Sequence, residues 1–153
     1  MRVAEAVEVL GGFATRDELL SMRCWAQSID MGVYYGKILR VRQGQYASKN
    51  LPTEVLRALR VGGRLACVSA LALYAAGPAS SGIPTCPDVP TGFGRWVWPE
   101  LRPPLHVLVK HGSSRHGIEE GERVVLHWSR LDLPGTRLVV AENIARAQAA
   151  RCE

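Results

Sequence analysis

Gly36-Lys37-Ile38-Leu39-Arg40-Val41-Arg42-Gln43-Gly44-Gln45-Tyr46 reads as a basic β-hairpin. Ile38, Leu39 and Val41 favour an extended backbone, Gln43-Gly44 supplies a tight turn, and Gln45-Tyr46-Ala47 returns as the partner strand. Side chains alternate along a strand, so Arg40 and Arg42 are expected on one face, with Lys37 at its base. Such a face suits phosphate contact or insertion into a minor groove. The competing reading is a solvated hairpin whose charges only protect an edge strand.

What precedes the hairpin favours the first reading. Val3, Ala6, Val7 and Leu10 follow the spacing of an amphipathic helix, with Glu5 and Glu8 turned to solvent, and Gly11-Gly12 ends it. Thr15-Arg16-Asp17-Glu18 is a capping-box pattern that predicts a second helix from about Arg16, with Leu19, Leu20 and Met22 on its core face. A third helix is expected from Trp25 or Ala26 to Tyr35, with Ile29, Met31 and Val33 among its apolar positions. Helix, helix, turn, helix and basic hairpin is the order of a winged helix-turn-helix, expected over residues 1–48.

In that geometry the third helix enters the major groove. Gln27 and Ser28 are the candidates for reading base edges, and Tyr34 or Tyr35 for a phosphate contact through the hydroxyl. Lys37, Arg40, Arg42 and Gln43 complete the expected DNA-binding set on the wing. Asp30 would be repelled by phosphates unless it accepts from a cytosine amino group or pairs with a nearby arginine. The charge distribution supports a polyanion partner. The chain holds 19 Lys+Arg against 14 Asp+Glu, yet residues 1–36 carry three basic and five acidic residues while 37–64 carry seven and one. Arg57, Arg60 and Arg64 are therefore further candidates for phosphate contact.

Three blocks together resemble the AbiEi-like antitoxins of type IV toxin-antitoxin systems in actinobacteria. They are Gly11-Gly12-Phe13-Ala14-Thr15-Arg16-Asp17-Glu18-Leu19-Leu20, Leu39 to Ala47, and Gly62-Gly63-Arg64-Leu65-Ala66-Cys67-Val68-Ser69-Ala70-Leu71-Ala72-Leu73. His106-Val107-Leu108-Val109 and Val124-Val125-Leu126-His127 match more loosely. The resemblance implies an N-terminal winged helix that binds promoter DNA, followed by an α/β domain linked to antitoxin action. It also implies that the nuclease-like C-terminal domain of many relatives is absent, since the chain ends at Glu153. Two departures are local: Gln43 stands where a further arginine is usual, and Arg23-Cys24 lacks the glycine often seen before the third helix.

The rest of the chain, 51–153, reads as a small second unit, giving an α+β fold class overall. Thr53 is expected to cap a helix whose inner face is Val55, Leu56 and Leu59, ended by Gly62-Gly63. Leu65 to Ala76 reads as a buried helix too short to cross a membrane, so residues 53–76 are expected to be helical apart from that break. Prolines and glycines make 77–104 a long loop, in which Trp96 and Trp98 are expected to pack over the sheet. Leu105 to Lys110, Arg123 to Trp128 and Leu138 to Val140 read as strands, and a short helix follows from Ala141 or Glu142. The turn from Lys110 to Gly117 reads as a solvated loop in preference to a phosphate cradle.

Cys24, Cys67, Cys86 and Cys152 form no CxxC pair, and Cys67 reads as a small hydrophobe in an apolar helix. His106 and His111 would face opposite sides of one strand, and no HExxH motif occurs, so no metal or other cofactor is expected. No catalytic motif, signal peptide or membrane span is present, and a reducing cytosol fits best. The expected function is a cytoplasmic DNA-binding regulator, not an enzyme, whose partner is double-stranded DNA, bound through a homodimer on its operator. The alternative is a protein-interaction module, actinobacterial or phage-borne, whose second unit binds a toxin or host protein.

Overall fold

The capping box at Thr15 fixes the first corner of the molecule. In the computed structural model, which describes residues 2–76, 103–113 and 117–152, Thr15 Oγ1 accepts the Glu18 N–H at 3.3 Å and Glu18 Oε2 accepts the Thr15 N–H at 2.8 Å. This turn joins strand β1 (Phe13–Thr15) to helix α2 (Arg16–Ser21), after helix α1 (Val3–Val9). Helix α3 (Ala26–Tyr34) follows, and then the hairpin of β2 (Ile38–Arg42) and β3 (Gln45–Ser48). The returning strand β3 lies in the middle of an antiparallel sheet of order β1-β3-β2.

The second part begins with α4 (Thr53–Val61), β4 (Arg64–Leu65) and α5 (Cys67–Ala76), and continues with β5 (Leu105–Lys110), β6 (Val124–Ser129) and α6 (Glu142–Ala149). Its sheet has order β4-β5-β6, with β4 antiparallel and β6 parallel to β5. β5 is buried from Leu105 to Val109 because α4 and α5 pack against it, and α6 packs in turn on α5. The described residues therefore form a mixed α+β fold with six helices and two three-stranded sheets. None of the described helices is long and apolar enough to cross a membrane.

Two clusters of buried apolar side chains hold these elements. Val3, Ala6, Val7, Ala14, Leu19, Ile29, Ile38 and Tyr46 join α1, α2 and α3 to one face of the first sheet. Val41 and Ala47 leave the opposite face of that sheet and join Val55, Ala58, Leu59, Leu65, Leu105 and Val107 in the larger cluster. The hairpin consequently contributes side chains to both clusters, Ile38 and Tyr46 to one and Val41 and Ala47 to the other.

Several details differ from the sequence reading, each for a packing reason. Arg40 and Arg42 do not share a face: a β-bulge between them sets Arg40 opposite Tyr46 and Arg42 opposite Gln45, with Val41 as the extra residue drawn into the larger core. Leu20 and Met31 are exposed, because Leu19, with Met22 after it, and Ile29 with Val33 are the apolar contacts of α2 and α3 with the first cluster. Pro52 occupies the cap position of α4, and Thr53 makes no capping bond. Residues 53–76 are not two helices alone, since Arg64 and Leu65 pair with Leu108 and Val107 as β4. Helix α5 is not fully buried either; only Cys67 and Ala70 are, and Val68 and Tyr74 are exposed. Leu138 to Val140 forms no strand but two single bridges, Val139 to Leu65 and Val140 to Gly135. Trp96, Trp98 and most of the 77–104 segment lie outside the described residues, as do 114–116 of the polar turn.

Candidate nucleic-acid interface and a buried Cys/His cluster

Helix α3 rests on Ile29, its buried residue, with Gly32 and Val33 facing β2 and the first cluster. Its outward side is wide. Gln27, Ser28, Asp30, Met31 and Tyr34 are all exposed, and Tyr34 is 82% accessible. Tyr35 follows at 63%, in an edge-to-face pair with Tyr34 whose centroids are 5.2 Å apart. Lys37, Arg40 and Gln43 are exposed on the adjoining hairpin. The acid on this surface has a partner: Arg16 Nη1 lies 3.5 Å from Asp30 Oδ1 and donates to the Tyr46 hydroxyl at 3.2 Å. Those contacts, the Tyr46 bond first, raise the Arg16 pKa.

Not every expected basic residue joins this surface. Arg42 is half-buried, with its guanidinium against Gly62, where a Cβ would collide with it. Arg57 Nε donates to Glu122 Oε1 at 2.8 Å with both side chains largely covered. Arg64 donates to the carbonyls of Leu133 at 2.6 Å and Thr136 at 2.9 Å, with Asp132 at 3.7 Å. Arg42 thus joins the hairpin to the end of α4, while Arg57 and Arg64 bond within residues 51–153, so of the three candidates beyond the hairpin only Arg60 remains exposed. Two exposed residues were not singled out by sequence: Trp25, at 79% accessibility just before α3, and Arg23. Nothing in the local pattern separates an exposed tryptophan from a core one. Arg23 has φ +62, the left-handed conformation that the missing glycine would otherwise supply.

A second assembly was unforeseen from spacing. Cys67 opens α5, His106 and His127 lie on β5 and β6, and Cys152 follows α6, yet one ligand-type atom from each lies within 4.8 Å of all the others. Register explains the meeting of the histidines. His127 pairs with Leu108, two residues beyond His106, so both imidazoles project from the same side of the parallel pair. His106 Nδ1 and His127 Nε2 are 3.0 Å apart, and Cys152 Sγ lies 3.7 Å from His106 Nδ1. Burial lowers the pKa of both histidines, with the neighbouring ring adding to the effect at His106, and burial raises the Cys67 thiol.

No protein-family model matches the chain, and no curated protein matches it.

Proposed function

We propose that residues 1–48 act as a winged helix-turn-helix and that the chain is a DNA-binding transcriptional regulator, similar in kind to an AbiEi-type antitoxin or autorepressor. The observation that carries this reading is that Gln27, Ser28 and Tyr34 on α3, Tyr35 after it, and Lys37 and Arg40 on the hairpin that packs against α3 are all exposed. The order of helix, strand, two helices and hairpin, with β3 pairing to both β1 and β2, suits the same assignment. In this reading Gln27 and Ser28, in the first turn of α3, reach base edges in the major groove. Lys37 and Arg40 then neutralise phosphates beside it, and Arg16 shields Asp30 from them. Repression follows from occupancy of an operator that polymerase must use.

A second reading is a protein-interaction module with vestigial DNA binding, docking a toxin or host protein. It is favoured by Val68, Tyr74 and Leu131, apolar side chains of residues 51–153 that solvent reaches. An electrophoretic shift of the full chain with the DNA upstream of its own coding region, beside unrelated DNA of equal length, separates the two. A tighter complex with the upstream fragment supports regulation. Failure to shift either fragment at low salt, where phosphate contacts are strongest, would exclude it.

A further inference from the structure

We propose that Cys67, His106, His127 and Cys152 form a structural site for one tetrahedrally bound divalent cation, zinc being the best fit. Tetrahedral zinc, with nitrogen at about 2.0 to 2.1 Å and sulfur at about 2.3 Å, sets neighbouring donor atoms roughly 3.3 to 3.8 Å apart. The His106 to His127 distance of 3.0 Å and the Cys152 to His106 distance of 3.7 Å already stand close to those edges. The widest donor separation, within 4.8 Å, closes with side-chain movements of about 1 Å around a central ion.

The donor chemistry selects the ion. Two sulfurs and two imidazoles suit zinc and offer nothing to calcium or magnesium, which take oxygen. Charge fits the burial as well. Two thiolates balance the 2+ ion and two neutral imidazoles add none, so the filled site is neutral overall in a pocket where Cys67 and His106 are buried. Four protein ligands leave no open position for substrate, which makes the site structural in role and not catalytic.

The surrounding backbone is organised around the same four residues. Cys67 holds φ +52, a left-handed conformation that a side-chain-bearing residue keeps only when its surroundings impose it. Its N–H donates to Gln148 Oε1 at 3.0 Å, so the helix that leads into Cys152 also fixes Cys67. The His106 N–H donates to Ser69 Oγ at 2.9 Å, tying β5 to the first turn of α5. A bound ion would cross-link β5, β6 and the start of α5 to the end of α6, elements that local sequence alone does not hold together.

The test begins with the wild-type full chain, purified without chelator, exchanged into metal-free buffer and assayed for zinc by mass spectrometry. One zinc per chain is expected, with a chelator lowering the melting temperature. After exchange for cobalt, the d–d bands of tetrahedral cobalt and a thiolate charge-transfer band are expected, the latter about halved in Cys152→Ser because one of two sulfurs is gone. His127→Ala should reduce zinc content without removing the cysteines. Zinc no higher in wild type than in a Cys67→Ser/Cys152→Ser double variant would overturn the proposal, as would a wild-type Cys67–Cys152 disulfide in place of bound metal. The wild-type stoichiometry and cobalt spectrum decide the matter even if a variant fails to fold.

Discussion

Glu18 serves two parts of the molecule at once: its Oε2 accepts the Thr15 N–H at 2.8 Å, closing the first turn of α2, and also accepts from Arg137 Nη1 at 3.0 Å. Arg137 stands over the Phe13 ring as well, 5.9 Å from its centroid. The helix that leads into α3 is thereby tied to the segment beside β4.

This relationship has a pH signature. The Arg137 guanidinium, followed by the Thr15 N–H, holds the Glu18 carboxyl down at about 2 from its ordinary 4.5. The unfolded chain therefore binds more protons than the folded one between those values, and stability falls as pH drops through that window. Glu18→Gln should remove this charge contribution while keeping the capping box, which glutamine also completes, lowering stability at pH 7 by about 1 kcal/mol after solvent screening of a partly exposed pair. Denaturant melts of wild type and variant at pH 7 and near pH 2 check it; the difference should shrink at the lower pH.

Arg23→Gly should stabilise the chain by about 0.5 to 1 kcal/mol, because glycine adopts a left-handed conformation without the steric cost borne by arginine. Thermal melts read the sign directly. A lower melting temperature would mean that the Arg23 side chain makes a stabilising contribution greater than its backbone cost.

The bulge sets Arg40 and Arg42 on different faces. Arg42→Ala should leave the salt dependence of DNA binding unchanged and reduce stability, since its guanidinium packs at Gly62. Arg40→Ala should do the reverse, lowering the slope of log affinity against log salt by about 0.9. Equal slopes for the two variants would remove the distinction.

Gln27→Ala and Ser28→Ala should each change preference among DNA sequences by about 1 to 3 kcal/mol where a base edge is no longer hydrogen-bonded, while leaving nonspecific binding nearly intact. Competition titrations with operator variants measure this. A uniform weakening on every sequence would assign these residues to positioning alone.

What the sequence discloses is local. The capping box at Thr15, the periodicity of Val3, Ala6 and Val7, and the Gln43-Gly44 turn depend on residues within one or two turns, and the fold reproduces them. The bulge at Val41 depends on a core built from α4 and β5, and the two-residue β4 exists only because Val107 and Leu108 of β5 supply its partners. Arg57 finds Glu122 across 65 positions, and Arg64 finds Leu133 across 69, so neither looked different from a solvent-facing arginine. The Cys/His cluster is hidden most deeply. His106 stands 21 positions from His127 and 46 from Cys152, distances that no short metal-binding spacing covers and that only the folded arrangement of β5, β6 and α6 brings together.

The measurement that bears most directly on the proposed role is a salt titration of DNA binding by the full chain, followed by fluorescence anisotropy on a labelled duplex from its own upstream region. Wild type should bind with log affinity falling linearly in log salt, and Lys37→Ala/Arg40→Ala should reduce that slope by about 1.8, or about 0.9 for each phosphate no longer neutralised. An unchanged slope and affinity in the double variant, or no binding by wild type at low salt, would contradict a DNA-binding role for the surface formed by α3 and the hairpin.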